Sequence, residues 1–241
     1  MEILTQAFNT ILYQPLVNAL VLLYQHIPGK DFGIAIIMLT LITRVLLYPL
    51  MLKSLKSQRE MAELQPKMQE IQKKYKDDKE GQAKALVELY QKEKINPMGG
   101  CLPFLVQFPL LIALYRVFWK GLDPSTMKYL YSFVANPGTI NPVSFGFLNL
   151  AQPNLVLAVA AGVLQYIQTK MFTPRQTSQK GGGGMFGDMM QKQLLYFFPV
   201  ITVLILMKMP SAIGLYWIVT SLFSIGQQYL ILKKKNESAK I

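Results

Sequence analysis

A chain of 241 residues that is 51% hydrophobic and carries a net charge of +12, with a mean hydropathy of +0.27, is long enough for one or two soluble domains. Its long apolar runs override that prior and make it an integral membrane protein, so the positive excess reads as membrane topology before direct DNA binding. One cysteine, Cys101, excludes an internal disulfide, and one histidine, His26, argues against a histidine metal centre or a catalytic triad.

Residues 1–31 hold an apolar run from Phe8 to His26, interrupted by Gln14, Pro15, Asn18 and Gln25. Spacings of four and seven place the three amides on one helical face, which predicts an extracytoplasmic amphipathic helix lying in the interface. An uncleaved sixth span is the alternative. No Lys or Arg precedes the run and no small-residue cleavage site follows it, so a cleaved signal peptide is not expected.

Residues 32–52, FGIAIIMLTLITRVLLYPLML, are the first core span, 21 residues long. Arg44 lies about 18 Å from Phe32 and about 13 Å from Lys53 along the helix. A charge at that depth costs at least about 2.5–3.5 kcal/mol on insertion scales. All thirteen acidic residues fall outside the apolar runs, so no internal counter-ion is available. Arg44 therefore either snorkels to an interface or faces a polar cavity. A reach of about 6 Å makes snorkelling alone strained.

Residues 53–97 hold eleven basic and eight acidic residues and form a solvated segment. Met61, Leu64, Met68, Ile71 and Tyr75 recur at spacings of 3, 4, 3, 4, a heptad seam, within which Pro66 is expected to kink or restart the helix. Asp77 or Asp78 can cap a second arm, where Ala83, Leu86 and Tyr90 resume the spacing, and Asn96-Pro97 closes it. The segment is predicted to be a coiled-coil hairpin whose charges suit the ribosome, a targeting factor or the Sec translocon.

Residues 98–232 supply core spans two to five with their loops. The second runs from about Gly99 to Trp119, past Pro103 and Pro109, and a linker of residues 120–153 leads to the third, about Asn154 to Met171. The polar loop from Thr173 to Gln193 contains Gly181 to Gly184. It lacks the Gly-Lys-Ser/Thr ending of a phosphate loop and reads as a flexible linker. The fourth span, about Leu194 to Met209, contains Pro199, and Pro210-Ser211 turns it into the fifth, Ala212 to Leu232. Residues 233–241 are a short basic tail.

These elements predict an all-α integral membrane protein: a five-helix transmembrane core, a cytoplasmic helical hairpin and an N-terminal amphipathic helix. With the hairpin and C-terminus cytoplasmic, the inner segments hold 19 of the 25 Lys and Arg, and the outer ones hold Lys30, Arg116, Lys120, Lys128 and Lys208. No internal repeat stands out, which argues against an inverted-repeat transporter.

Paired carboxylates, a nucleophile with its base, and metal-ligand spacing are all missing from the sequence, so no catalytic residue, metal or cofactor is expected. The polar residues within the spans are neutral amides and hydroxyls that can bond between helices or line a cavity around Arg44. Gln107 lies about eight residues into the second span, Gln168 near the inner end of the third, and Trp217 and Thr220 in the outer half of the fifth. Their range of depths is compatible with a groove opening inward.

Thr40-Leu41-Ile42-Thr43-Arg44 with Tyr48-Pro49-Leu50 is similar to the first core span of the YidC-type membrane protein insertases. So are Leu64-Gln65-Pro66-Lys67, Asp77-Asp78-Lys79, and Asn96-Pro97-Met98-Gly99-Gly100-Cys101 running on through Gln107-Phe108-Pro109. Pro210-Ser211, Leu215-Tyr216-Trp217-Ile218-Val219 and Gln227-Gln228 complete a match over about residues 30–235. The chain resembles a short form without the large extracytoplasmic domain of some members. The resemblance implies a hydrophilic groove open to the cytoplasm and to lipid and closed on the outside. It assigns Arg44 as the groove arginine, Thr40 as a polar position near it, and Gln107, Gln168 and Trp217 as groove-lining positions; other members often carry tyrosine at position 217. It also implies a function: inserting nascent membrane proteins into the lipid bilayer of the bacterial plasma or inner membrane, with nothing hydrolysed. A small channel or transporter subunit, and a structural assembly partner, are the alternative readings.

Overall fold

The computed structural model describes residues 2–96, 102–120, 124–172 and 193–238, which are mostly helical. The glycine run Gly181 to Gly184, Cys101, the Pro97-Met98-Gly99-Gly100 motif and the last three residues of the basic tail lie outside the described residues.

The chain begins with a rod made of α1 (Glu2–Phe8), a π-helical turn (Asn9–Tyr13) and α2 (Gln14–His26). Pro15 sits in the first turn of α2, directly after the π-helical turn. Leu16, Val17, Leu20, Val21 and Tyr24 form the buried stripe of α2. Pro28, Gly29 and Lys30 turn the chain, with φ of 76° at Gly29, and Asp31 caps α3 (Phe32–Leu46) through the Ile34 N–H at 3.0 Å.

Phe32, Ile36, Thr40 and Arg44 recur every four residues and all are buried, so one stripe of α3 faces the protein from end to end. Met38, Leu41, Ile42, Val45 and Leu46 on its other side are apolar and exposed. The run does not continue as one straight span to Leu52. It breaks at Leu47 and bends by 65° into α4 (Tyr48–Lys74). Pro49 explains the break, because it cannot donate to the carbonyl four residues earlier and its ring crowds that carbonyl. Pro66, expected to kink or restart the first hairpin arm, lies inside a helix that runs unbroken to Lys74.

Asp78, not Asp77, caps α5 (Lys79–Lys92), accepting from the Gly81 N–H at 2.9 Å. The two arms meet through Tyr90 Oη on Met68 Sδ at 3.7 Å and a Lys67–Glu93 ion pair, which holds the Glu93 carboxyl below its ordinary range. Of the expected seam, Leu64 is buried and Met61, Met68, Ile71 and Tyr75 are half-buried, while Ala83 is exposed.

The helices α6 (Leu102–Lys120), α7 (Leu155–Phe172), α8 (Phe198–Leu206, after a π-helical turn at Gln193–Phe197) and α9 (Ser211–Ser238) complete the bundle. Helix α9 packs against α3 and α7, and α7 against α8. The Ser211 N–H donates to Gln152 O at 2.9 Å and the Ala212 N–H to Leu150 O at 3.1 Å, so α7 and α9 start side by side and run the same way. By length and composition, Thr5–His26 is a helix able to cross a membrane. The bent pair Phe32–Leu46 with Tyr48–Met61 counts as a broken span, and Val106–Trp119, Leu155–Met171 and Leu195–Leu206 are shorter apolar helices.

Residues 129–152 form a strap across the end of the bundle remote from the hairpin. Its two-residue strands β1 (Val143–Ser144) and β2 (Leu148–Asn149) are antiparallel. Asn18 accepts from the Tyr131 N–H at 2.7 Å and donates to Tyr129 O at 2.9 Å, and Gln25 donates to Ala135 O at 2.6 Å. The Gly33 N–H donates to Ser144 Oγ at 2.7 Å. A side chain at Gly33 would stand 2.9 Å from Ser144 Cβ, so only glycine lets the strap lie this close. Asn9 meets Arg116 near the end of α6, Tyr13 meets Tyr129, and Tyr24 meets Phe32. The rod therefore touches strap-end elements from Asn9 to Gln25.

Asp31 joins the two systems, accepting from Ile34 on its own helix and from the Phe145 N–H of the strap at 2.6 Å. Burial pushes its carboxyl up, but the Phe145 and Ile34 N–H groups, with Ser144 and Gly33, outweigh that and hold it below the usual value. A lowered folded pKa contributes stability above the unfolded carboxylate range, about 3.9, which is lost as pH falls through the folded value. Asp31→Ala should cost about 1 kcal/mol near neutral pH, as loss of a helix cap does. Thermal melts in detergent should show that gap closing as pH falls below about 4; a gap that persists or widens in acid would remove the charged carboxylate from the account.

Candidate functional site

Arg44 comes to the buried side of α3 because it falls on the same four-residue stripe as Phe32, Ile36 and Thr40, and it is only 6% exposed. Its Nη2 donates to Gln107 Oε1 on α6 at 3.0 Å. Gln107 Nε2 in turn donates to Tyr216 Oη on α9 at 2.6 Å. Tyr216 is 1% exposed and lies against the Phe118 ring, with centroids 6.3 Å apart. Three helices are thus linked by one chain of hydrogen bonds, Arg44–Gln107–Tyr216.

The arrangement is chemically lopsided. A guanidinium has five N–H donors, and Arg44 uses one of its nitrogens on a neutral amide. No carboxylate pairs with it among the described residues. A neutral acceptor orients the charge without cancelling it, so the site keeps a net positive field in a poorly screened place. It offers an anion a partner and offers no nucleophile, base or metal cage; no metal-holding cluster occurs among the described residues.

Gln107 and Arg44 are brought together. Thr40 lies one turn from Arg44 on the same stripe, but its hydroxyl donates to Ile36 O at 2.7 Å and so serves its own helix. Trp217 is half-buried and packs against the core, beside Tyr216 in sequence and outside the hydrogen-bonded chain. Gln168 is half-buried on α7. The Thr220 hydroxyl is buried with no partner, as are atoms of Gln165, Gln227 and Gln228. Such groups cost about 1–3 kcal/mol each when left unpaired. Tyr216 is the member that sequence reasoning missed. Its signal was there: a phenol in an apolar run carries a hydroxyl needing a partner, just as the amides and threonines do.

Gln107→Leu should leave both the Arg44 guanidinium and the Tyr216 hydroxyl short of a partner, costing about 2–4 kcal/mol. Tyr216→Phe removes one bond and should cost about 1 kcal/mol. Urea or thermal unfolding in detergent checks the order. A Gln107→Leu variant as stable as Tyr216→Phe would mean that the chain does not hold the three helices together.

Residues 22–238 match the family model described as 60Kd inner membrane protein. A membrane protein insertase YidC of Fusobacterium nucleatum subsp. nucleatum is 36% identical over 85% of this chain and 87% of its own length. The proteins of that name from Geobacter metallireducens and Pelobacter propionicus are 35% identical over 92% and 95% of this chain, but the match spans only 37% and 40% of theirs. A crystal structure described as an active YidC insertase with its first transmembrane domain resolved aligns at a TM-score of 0.59 with 27% identity, covering 90% of this chain and 46% of the other. The chain belongs to the 60Kd inner membrane protein family, that of the YidC membrane protein insertases.

Proposed function

We propose that the chain inserts nascent membrane proteins into the bacterial plasma or inner membrane through a polar groove centred on Arg44. The observation that carries this reading is a buried guanidinium whose described partner is a neutral amide. A charge held at such depth without a counter-ion is poised to receive one from outside the chain. A polar segment of a client entering the groove exchanges bulk water for fixed dipoles and retained water, which lowers the desolvation barrier. Its carboxylates are attracted to Arg44 more strongly than in bulk water. The apolar part leaves along the exposed apolar side of α3 (Met38, Leu41, Ile42, Val45) and Phe108 and Ile112 of α6, where burial in lipid drives the step.

In this reading α3, α6, α7, α8 and α9 are the five core spans. The rod of residues 2–26 lies in the outer interface; its contacts with strap-end elements from Asn9 to Gln25 favour that over a sixth span. The basic-residue distribution supports a cytoplasmic hairpin and C-terminus. There the hairpin's exposed charges meet the ribosome, a targeting factor or the Sec translocon. Thr40, Gln168, Trp217 and Thr220 are assigned to the groove wall with Arg44 and Gln107, and the groove needs no cofactor.

The test uses one client in two forms, with its translocated carboxylates intact and with them replaced by amides. Arg44→Ala should reduce insertion of the acidic form on the order of tenfold, about 1.4 kcal/mol, and the amide form far less. Arg44→Lys keeps the charge and should retain part of the activity, although the planar fork is lost. Equal damage to both forms would make Arg44 a structural residue, and undiminished insertion of both would leave it a snorkelled one.

A further inference from the structure

The strap turns back on itself at Ser144-Phe145-Gly146-Phe147, where the Phe147 N–H donates to Ser144 O at 3.2 Å. Phe145 and Gly146 both have positive φ, 57° and 80°. Tight turns with that backbone ordinarily carry Asn or Asp followed by Gly. A phenylalanine there is strained, because its Cβ crowds the following carbonyl oxygen. What the strained tip presents is apolar surface: Phe147 is 83% exposed, and Phe145 and Val143 are each 40% exposed. Phe133, stacked on Tyr131 earlier in the strap, is exposed as well. Residues 129–152 contain no Lys, Arg, Asp or Glu, where about six charges are ordinary for a segment of that length. Single exposed apolar residues are common on any surface. Two at a strained tip, in a segment without charge, call for a reason.

The level of the tip is fixed by its contacts. The Phe145 N–H donates to Asp31 Oδ2 at 2.6 Å, and a Cβ at Gly33 would stand 3.0 Å from the Phe145 ring. The apolar run of α3 begins between those two residues, at Phe32. Beyond the tip, Asn149 O accepts from Ser211 Oγ at the start of α9, at 2.9 Å, and exposed Leu155 and Val156 open α7. The hairpin therefore lies where three apolar helices begin.

We propose that Phe145 and Phe147 dip into the outer leaflet of the bilayer and act as a stop that sets the depth of α3, and hence of Arg44. This rests on the insertase reading above, in which α3, α7 and α9 are spans. The occupant of the exposed tip is phospholipid, met at the boundary between headgroups and acyl chains. Apolar side chains gain by burial there, while the neutral polar groups of the strap stay hydrated. A partner protein's footprint carries a polar rim around its apolar centre, and the strap has no charged residue to face one. The stop works in both directions. Sinking of α3 would carry the Asp31 carboxylate, bonded to the tip, into hydrocarbon, which is costly. Rising would pull both phenylalanines out of lipid into water. Gly33 precedes Arg44 by eleven residues, about 16 Å of helix, and half the hydrocarbon core is about 15 Å. A tip held at the outer boundary thus holds Arg44 near the midplane.

The experiment places a nitroxide on single cysteines of the full chain, with Cys101→Ser as background, in vesicles of phosphatidylethanolamine and phosphatidylglycerol. Phe147→Cys reports the tip, Ile42→Cys the exposed apolar side of α3, and Lys76→Cys the solvated hairpin. Oxygen, which concentrates in lipid, should relax the labels at 147 and 42 more than a water-soluble nickel chelate does, and the order should reverse at 76. Nickel dominating at 147 but not at 42 would put the tip in water; the stop then fails while the span stands. A label at 147 shut off from both reagents would lie under protein, a second copy or another partner, and that too overturns the proposal. Nickel dominating at 42 as well would take α3 out of the membrane, and the insertase reading would fall with the stop. With the tip in lipid, Phe145→Ser/Phe147→Ser should shift the depth of the label at 42 by several Å, most in vesicles of long-chain lipids. Phe145→Leu/Phe147→Leu, which keeps the apolar grip, should leave it in place. An unmoved label in the serine variant, or an equal shift in the leucine variant, would overturn the stop.

Discussion

The structure turns on one hydrogen bond, from the Arg44 guanidinium to the Gln107 side chain. A carboxylate in place of Gln107 would satisfy the charge more fully and would also extinguish it. An apolar residue would leave it buried and unpaired, at a cost of several kcal/mol. The amide does neither. It fixes the guanidinium in place, passes the constraint on to Tyr216, and leaves the positive charge for something else to meet. Helices α3, α6 and α9 are held at the same point by that choice, so the geometry of the bundle and the electrostatics around Arg44 share one cause.

The strap end of the molecule solves the opposite problem. There the polar groups are matched locally: Asn18 with Tyr129 and Tyr131, Asp31 with Ile34 and Phe145, Gly33 with Ser144, and Ser211 with Asn149 and Gln152. Satisfied backbone and side-chain groups help close a surface, since a paired group does not recruit water or chain. Toward the hairpin end the inventory reverses, with unpartnered amides on α7 and α9. A bundle laced at one end and polar but unsatisfied at the other has a direction, which is what one-sided entry of a client segment requires.

Much of this was legible in the residues. A buried arginine was one of two readings of its place in a long apolar run with no acid nearby, and the family resemblance, with a compatible depth, set Gln107 near it. Asp78 as a cap could be narrowed to two candidates by spacing alone. The break after Leu46 was not foreseen. Hydropathy counts Tyr48-Pro49-Leu50 as apolar and continuous, while the missing N–H of Pro49 ends the ladder. Pro66 does not restart the arm: it is exposed, and α4 continues past it to Lys74. Tyr216 escaped because tyrosine is scored as hydrophobic, although burial makes its hydroxyl as demanding as any amide. The strap escaped for a different reason: its bonds join residues more than a hundred positions apart, as Asn18 to Tyr129 does, and no local pattern encodes such pairings.

The measurement that tests the central claim most directly is the behaviour of Gln107→Glu, which supplies Arg44 with a counter-ion that it lacks among the described residues. A charge-assisted pair replaces a neutral one, so the variant should unfold at a temperature at least as high as the parent chain. With the groove charge cancelled, insertion of a client bearing carboxylates in its translocated segment should fall on the order of tenfold, about 1.4 kcal/mol, while the same client with amides inserts nearly as before. A stable Gln107→Glu chain that inserts the acidic client at the parent rate would contradict the account, because the uncancelled charge would then have no part in receiving the client.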